Sequence, residues 1–354
     1  MVSGNLEATT LLAADNYDIV SDWNVEQGER QRGWIVSPLF DICFFTNFYW
    51  VLAFLPLYAS ADGTPYIQFW MAYFLATPHR WLTLVVAITD RDRRYGQTWL
   101  FVAIAIFFAA LIGFTLWTTG DFRSLFLFYT LFLGWHFAGQ HVVILKIYSG
   151  KSVEGIRWME TWLPMVFIIY TNVRLIAFFE HLFRFQWLSI LPIVDVMMLA
   201  IPIVLLGTEL ASVSRQRLPK LLYMFSFLTM WSAVLWAAHL QRNVLCAVLL
   251  AAVTVYHSVE YLAMVSYYAW RRCEVGSDGL FRVMARNWTI VFAWYVIGCG
   301  LLYSIGNAFF VVACYAVNTW ASLLHCAYDG IMWRVRDPDT AKAFGIEAGR
   351  SDLG

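Results

Sequence analysis

Charge is scarce in this chain: only 14% of its 354 residues are Asp, Glu, Lys or Arg, against about 25% in an average soluble domain. The 24 acids and 24 bases cancel, so no net charge draws the chain to a polyanion, and nucleic-acid binding is excluded. Cysteine motifs are missing too. Cys43, Cys246, Cys273, Cys299, Cys314 and Cys326 include no Cys-x-x-Cys pair and no haem-attaching Cys-x-x-Cys-His. Residues 1–38 hold six acids, two bases and no apolar core, which reads as a polar tail rather than a targeting segment. No low-complexity tract and no strong internal repeat is visible.

What the chain has is apolar surface. Hydrophobic residues make up 60% and aromatics 18%, more than a soluble fold of this length can hide, since its exterior must still face water. A soluble enzyme and a disordered chain are thereby excluded. A membrane-spanning helix needs about 20 apolar residues, and ten stretches qualify: 39–60, 66–89, 98–118, 123–147, 158–179, 186–207, 218–239, 243–270, 287–305 and 307–333. None alternates with a period of two, so a β-barrel is not indicated. The expectation is an all-α, polytopic helical bundle of about ten transmembrane helices over residues 39–334. The polar tails are 1–38 and 335–354. Ser304–Asn307 marks the short break between the last two spans. With ten spans, 19 of the 24 bases fall on one face and three on the other, with Arg80 and Arg174 inside spans. The positive-inside rule then puts both termini in the cytoplasm, and a bacterial inner membrane is the expected location.

Ionisable groups within a bilayer are costly and mark sites or buried pairs. Here they share a depth. His79 lies in the second stretch, His136 and His141 in the fourth, Asp195 in the sixth, His257 and Glu260 in the eighth, and His325 and Asp329 in the tenth. All fall in a slab about 14 Å thick at 1.5 Å per residue, in the cytoplasmic half. Imidazole and carboxylate at one level of a bundle are what a metal centre needs, and that donor set without thiolate suits iron, with zinc or copper less specific. His257 and Glu260, at i and i+3, can face one centre, as can His325 and Asp329 at i and i+4. Asp329 either binds metal or holds the His325 ring by its other nitrogen. His136 and His141 lie about 140° apart and do not easily share one ion. Pro78 is placed to kink its helix where His79 sits. Glu260 has no base within a turn on its own helix. It is neutralised either by a divalent cation shared with His257 or by carrying a proton. Arg174 reads as half of a buried ion pair, Asp195 as the partner of a hydroxyl or as a ligand, and His181 and His239 as interfacial.

The order Pro78-His79, His136-Phe137, His257, then His325 with Asp329 resembles the bacterial and archaeal integral-membrane β-carotene 15,15'-dioxygenases. In those retinal-forming enzymes, histidines hold a non-haem iron. The resemblance implies iron ligation by His79, His136, His257 and His325. The chain departs from that pattern at Arg80, Tyr261 and Leu324, and its His141 and Glu260 have no counterpart in it.

The leading expectation is therefore a membrane metalloenzyme with mono- or dinuclear iron (Fe2+). It would use O2 on a hydrophobic carotenoid, isoprenoid or lipid, with an electron donor as a possible partner. Its candidate ligands are His79, His136, His141, His257, Glu260, His325 and Asp329. Two alternatives stand beside it: a haem b electron-transfer protein with facing histidines as axial ligands, and a proton-coupled transporter using the same groups as a relay. At least three of the five histidines are expected within about 6 Å of one point, given metal–imidazole bonds of roughly 2.1 Å.

Overall fold

A computed structural model describes residues 33–54, 71–90, 97–150, 157–179, 190–212, 214–275, 280–333, 340, 343 and 344. Those residues form helices and no strand. The helices are α1 (Pro38–Phe40), α2 (Thr77–Thr89), α3 (Thr98–Thr119), α4 (Arg123–Gly150), α5 (Trp158–Phe179), α6 (Leu191–Ala211), α7 (Leu218–His239), α8 (Asn243–Val275), α9 (Leu280–Arg286), α10 (Trp288–Phe309) and α11 (Val311–Met332).

Five helical segments are long and apolar enough to cross a membrane: Thr98–Thr119, Leu191–Ala211, Leu218–His239, Asn243–Arg271 and Trp288–Gly306. Their burial separates them. The apolar windows of α7 and α8 are 61% and 56% buried, against 22%, 17% and 11% for α3, α6 and α10. The first pair is therefore the middle of the bundle, and the other three turn most of their apolar surface outward. α4, α5 and α11 are also long, at 28, 22 and 22 residues. They carry the polar side chains described below, which dilutes their apolar character.

Two expected stretches take a different form. Residues 39–60 do not make one α-helix. α1 passes into a π-helical turn, Asp41–Thr46, which stops at Asn47 in the left-handed conformation (φ 54°) before a 3-10 segment, Phe48–Phe54. The cause is local. Asp41 turns its carboxylate back onto the Ile35 and Val36 amides at 2.6 and 3.0 Å and takes the Tyr148 hydroxyl at 3.1 Å. Asn47 tolerates positive φ and donates its side-chain amide to the Tyr256 carbonyl of α8 at 3.2 Å. The described part of the second stretch, from Met71, is a π-helical turn, Met71–Ala76, that becomes α-helical at Thr77, and residues 66–70 lie outside the described residues. The change falls where Pro78 would otherwise press on the preceding turn. Between α10 and α11 the break is the single residue Phe310 rather than 304–307. Nearly all of both tails, and His181, lie outside the described residues.

α2 packs on α11, α4 on α11 and α7, and α8 on α7 and α2. That arrangement brings together the helices bearing His79, His136, His257 and His325.

Candidate metal centre

Four histidines from four helices meet in the core. His79 (α2), His136 (α4), His257 (α8) and His325 (α11) are each 5% exposed or less. Ring centroids lie 5.2 Å apart for His79–His257, 4.9 Å for His257–His136, 4.6 Å for His136–His325 and 4.8 Å for His325–His79. Each ring stands steeply to the next, at 70–85°. The four form a closed circuit around one point. His136 Nε2 and His257 Nε2 are 3.3 Å apart. His79, His257 and His325 each offer a ligand atom within 4.8 Å of one another, as do His136, His325 and Asp329.

The far nitrogens of two rings are held. Ser258 Oγ lies 2.9 Å from His79 Nδ1, with the Leu75 carbonyl at 3.3 Å. Thr83 Oγ1 lies 2.6 Å from His325 Nδ1, and Asp329 Oδ2 lies 3.4 Å from it. Asp329 is itself fixed, because its Oδ1 accepts from Thr83, Tyr261 and Trp333 at 3.1 Å each. Its Oδ2 is left facing the His325 ring and, at 3.9 Å, His136 Nε2. Fixing one nitrogen orients the ring and sends the other inward, as metal-binding histidines require.

The donor set fits a transition-metal ion. His325 Nε2 is buried and has no hydrogen-bond partner, a costly state for a polar atom in a core. Two Nε2 atoms face each other across 3.3 Å. Either one donates to the other, or both lone pairs converge on a cation. Imidazole nitrogens with a nearby carboxylate are the ligands that iron, zinc and copper accept.

Two expected ligands stand apart from these groups. Trp231 Nε1 lies 3.2 Å from His141 Nε2. An indole N–H only donates, so Nε2 is an acceptor already in use, and Nδ1 is engaged with the Tyr223 hydroxyl at 2.8 Å. His141 therefore has no lone pair to spare. Glu260 joins neither ligating group. Its carboxylate accepts from Gln140 Nε2 at 3.0 Å and lies 3.7 Å from His141 Nδ1. The i, i+3 spacing puts His257 and Glu260 on one face of α8, but one turn apart along it, and the centre reaches only the first.

Asp195 and Arg174 pair with each other. Arg174 Nε contacts both Asp195 oxygens at 3.1 and 3.0 Å, the Tyr170 hydroxyl donates to Asp195 at 2.7 Å, and His239 Nδ1 lies 3.2 Å away. Sequence reasoning passed over Thr83, Gln140, Ser258, Tyr261 and Trp333. A signal for three of them was present. Each histidine of the centre is followed at i+4 by a polar residue: Thr83, Gln140, Tyr261 and Asp329. On a helix that is the same face one turn on, so four such helices build a second polar layer beneath the first.

In comparisons with known proteins, no family model, no curated relative and no solved structure matched this chain.

Proposed function

We propose that the chain is an integral-membrane, O2-using oxidoreductase with a non-haem iron held by His79, His136, His257 and His325. Its substrate class is a hydrophobic carotenoid, isoprenoid or lipid. The observation that carries this reading is the closed circuit of four buried imidazoles, with two Nε2 atoms 3.3 Å apart and a third without a partner. Held by these four histidines, an iron ion would supply the activation of O2.

The chain's own residues do the rest. Ser258 and the Leu75 carbonyl hold His79, while Thr83 and Asp329 hold His325. Phe137 packs its ring 4.5 Å from His257 and closes that side of the centre with an apolar wall. The surrounding bundle keeps water from reactive species, and a substrate dissolved in the bilayer meets the protein on an apolar exterior. The four ligands are the positions that match the dioxygenase pattern, and that resemblance adds the substrate class. We read ten spans, both termini in the cytoplasm and a bacterial cytoplasmic membrane from the 19-to-3 split of bases.

A haem b reading is less well supported. A porphyrin needs an open slot between its two axial ligands, and here the rings of His79 and His325 stand in the space beside the His136–His257 pair.

Detergent-purified protein loaded anaerobically with Fe(II) is expected to hold about one iron per chain without a Soret band. His136→Ala and His257→Ala should each empty the centre while the helical circular-dichroism spectrum persists. Full iron content in both variants, or a Soret band in the purified wild type, would overturn the reading.

A further inference from the structure

The first expected span unwinds against α8. Its π-helical turn ends at Thr46, Asn47 takes the left-handed conformation, and a 3-10 segment follows. In a membrane protein, irregular backbone is tolerated where it is buried in protein or lines a polar site. Here the last two carbonyls of the turn, Phe45 and Thr46, lie 3.1 and 3.2 Å from the Tyr256 hydroxyl, which has one proton to give them. Asn47 leans on the same turn of α8 and donates to the Tyr256 carbonyl at 3.2 Å.

More oxygens gather at this turn. Glu260 lies four residues after Tyr256, on the same face of α8. It and Ser226 of α7 are side-chain neighbours of the Tyr256 hydroxyl. From α4, Gln140 Nε2 donates to the Glu260 carboxylate at 3.0 Å and to the His257 carbonyl at 3.3 Å. Both partners of that nitrogen are acceptors, so it is the donor end of the amide, and Oε1 is turned elsewhere.

What the turn has too few of is donors. Thr46 Oγ1, Asn47 Oδ1, Gln140 Oε1, Ser226 Oγ and Glu260 Oε1 are buried without a hydrogen-bond partner, and each of these side chains belongs to a residue more than nine-tenths buried. Bare buried acceptors are costly, and a bare carboxylate oxygen is the costliest of them. Among the described residues, the only basic side chain within 4 Å of Glu260 is His141, at 3.7 Å. His141 Nε2 accepts from the Trp231 indole at 3.2 Å, so that ring is neutral and supplies no counter-charge.

We propose that these oxygens form a second site, separate from the four histidines, for a hard monovalent alkali cation. Glu260 is its counter-charge, and Thr46, Asn47, Gln140, Ser226 and Tyr256 offer its neutral oxygen donors. A donor set made of oxygen suits hard cations rather than transition-metal ions. One carboxylate balances one positive charge, whereas a divalent ion would leave a buried surplus. The carbonyl end of the short first helix, the negative end of its dipole, lies at the site. Carbonyls released where a spanning helix unwinds are donors with which membrane proteins hold such ions. The bound ion ties the broken first span to α4, α7 and α8. None of this depends on the iron reading.

The test uses radiolabelled sodium on the detergent-purified full chain in choline chloride, with iron measured on the same samples. Wild type should take up about one sodium per chain, saturably, displaced by unlabelled sodium and not by choline. Glu260→Gln should lose that uptake while keeping its iron and its helical circular dichroism. Thr46→Val and Ser226→Ala each lose one oxygen and should bind sodium about tenfold more weakly, the effect of one lost polar contact. His257→Ala should lose its iron and keep its sodium. No saturable uptake by wild type, the result expected if Glu260 carries a proton instead, overturns the proposal. So does uptake by Glu260→Gln equal to that of wild type, or tighter binding of calcium than of sodium. Should Glu260→Gln fail to fold, the losses in Thr46→Val and Ser226→Ala decide. Wild type that binds sodium but no iron keeps this site and sinks the metal reading, and wild type that binds iron but no sodium does the reverse.

Discussion

Two buried polar regions of this bundle solve the same problem in opposite ways. Where α5, α6 and α7 meet, the charges answer one another within the chain. Lys220 Nζ sits 2.7 Å from Glu160 and 3.4 Å from Glu209, and Arg157 reaches the same two carboxylates at 2.6 and 3.1 Å. Further along the same three helices, Arg174 closes on Asp195 at 3.0 Å, with Tyr170 and His239 completing its shell. Where α2, α4, α8 and α11 meet, four imidazoles point at one another. Among the described residues, the only oppositely charged group within 4 Å of them is Asp329, whose other oxygen is taken up by three donors. In the first region each carboxylate has a cation of the chain within 3.1 Å. In the second, His325 Nε2 is buried among the other imidazoles with no hydrogen-bond partner.

The sharpest way to break that contrast is to remove one member of the first region. Arg174→Ala strands Asp195 in the core and should cost about 3–5 kcal/mol of stability, read as a fall in the unfolding midpoint in detergent. A loss below about 1 kcal/mol would show that Asp195 does not depend on its cation. In the other region the corresponding loss should appear in metal binding rather than in folding. Ser258→Ala frees His79 Nδ1 and should weaken iron binding about 10–100-fold, with little change in the midpoint. Unchanged affinity would mean that the Leu75 carbonyl and packing hold the His79 ring without Ser258. The smallest effect is expected where both members of an ion pair go together. Arg174→Met with Asp195→Leu should lie within about 1 kcal/mol of wild type, because no uncompensated charge remains. A loss as large as that of Arg174→Ala alone would show that Tyr170 and His239 depend on Asp195 as strongly as Arg174 does.

Helical class and the level of the site were legible in the sequence because both are one-dimensional properties: a run of apolar residues and a position along it. His79, His136, His257 and His325 were legible for the same reason, as was a buried acid for Arg174, but Asp195 was read as the partner of a hydroxyl or as a ligand and not as that acid. What could not be read was rotation about each helix axis. His141 shares its depth and its helix with His136, yet it faces α7 and bonds to Tyr223 and Trp231. Glu260 shares a face with His257 but lies one turn along it, and only the packing of α4 against α8 decides which level holds the centre. The supports Ser258, Thr83 and Trp333 are residues that any helix can carry. Their roles exist only once four helices are in register. The broken start of the first expected span was hidden as well, because it goes with Asp41 reaching back to the amides of Ile35 and Val36, which lie before that span.

The four histidines that meet enter the chain far apart, at positions 79, 136, 257 and 325, and the last arrives with α11. His79, His136 and Thr83 are therefore made before His325 and Asp329 exist to complete their contacts. Until α11 docks, His257 of α8 is the histidine that lies against both His79 of α2 and His136 of α4. A chain shortened before residue 311 would lose two residues of the centre and the clamp between its two sides at once. The circuit of four imidazoles therefore closes only when α11 is in place.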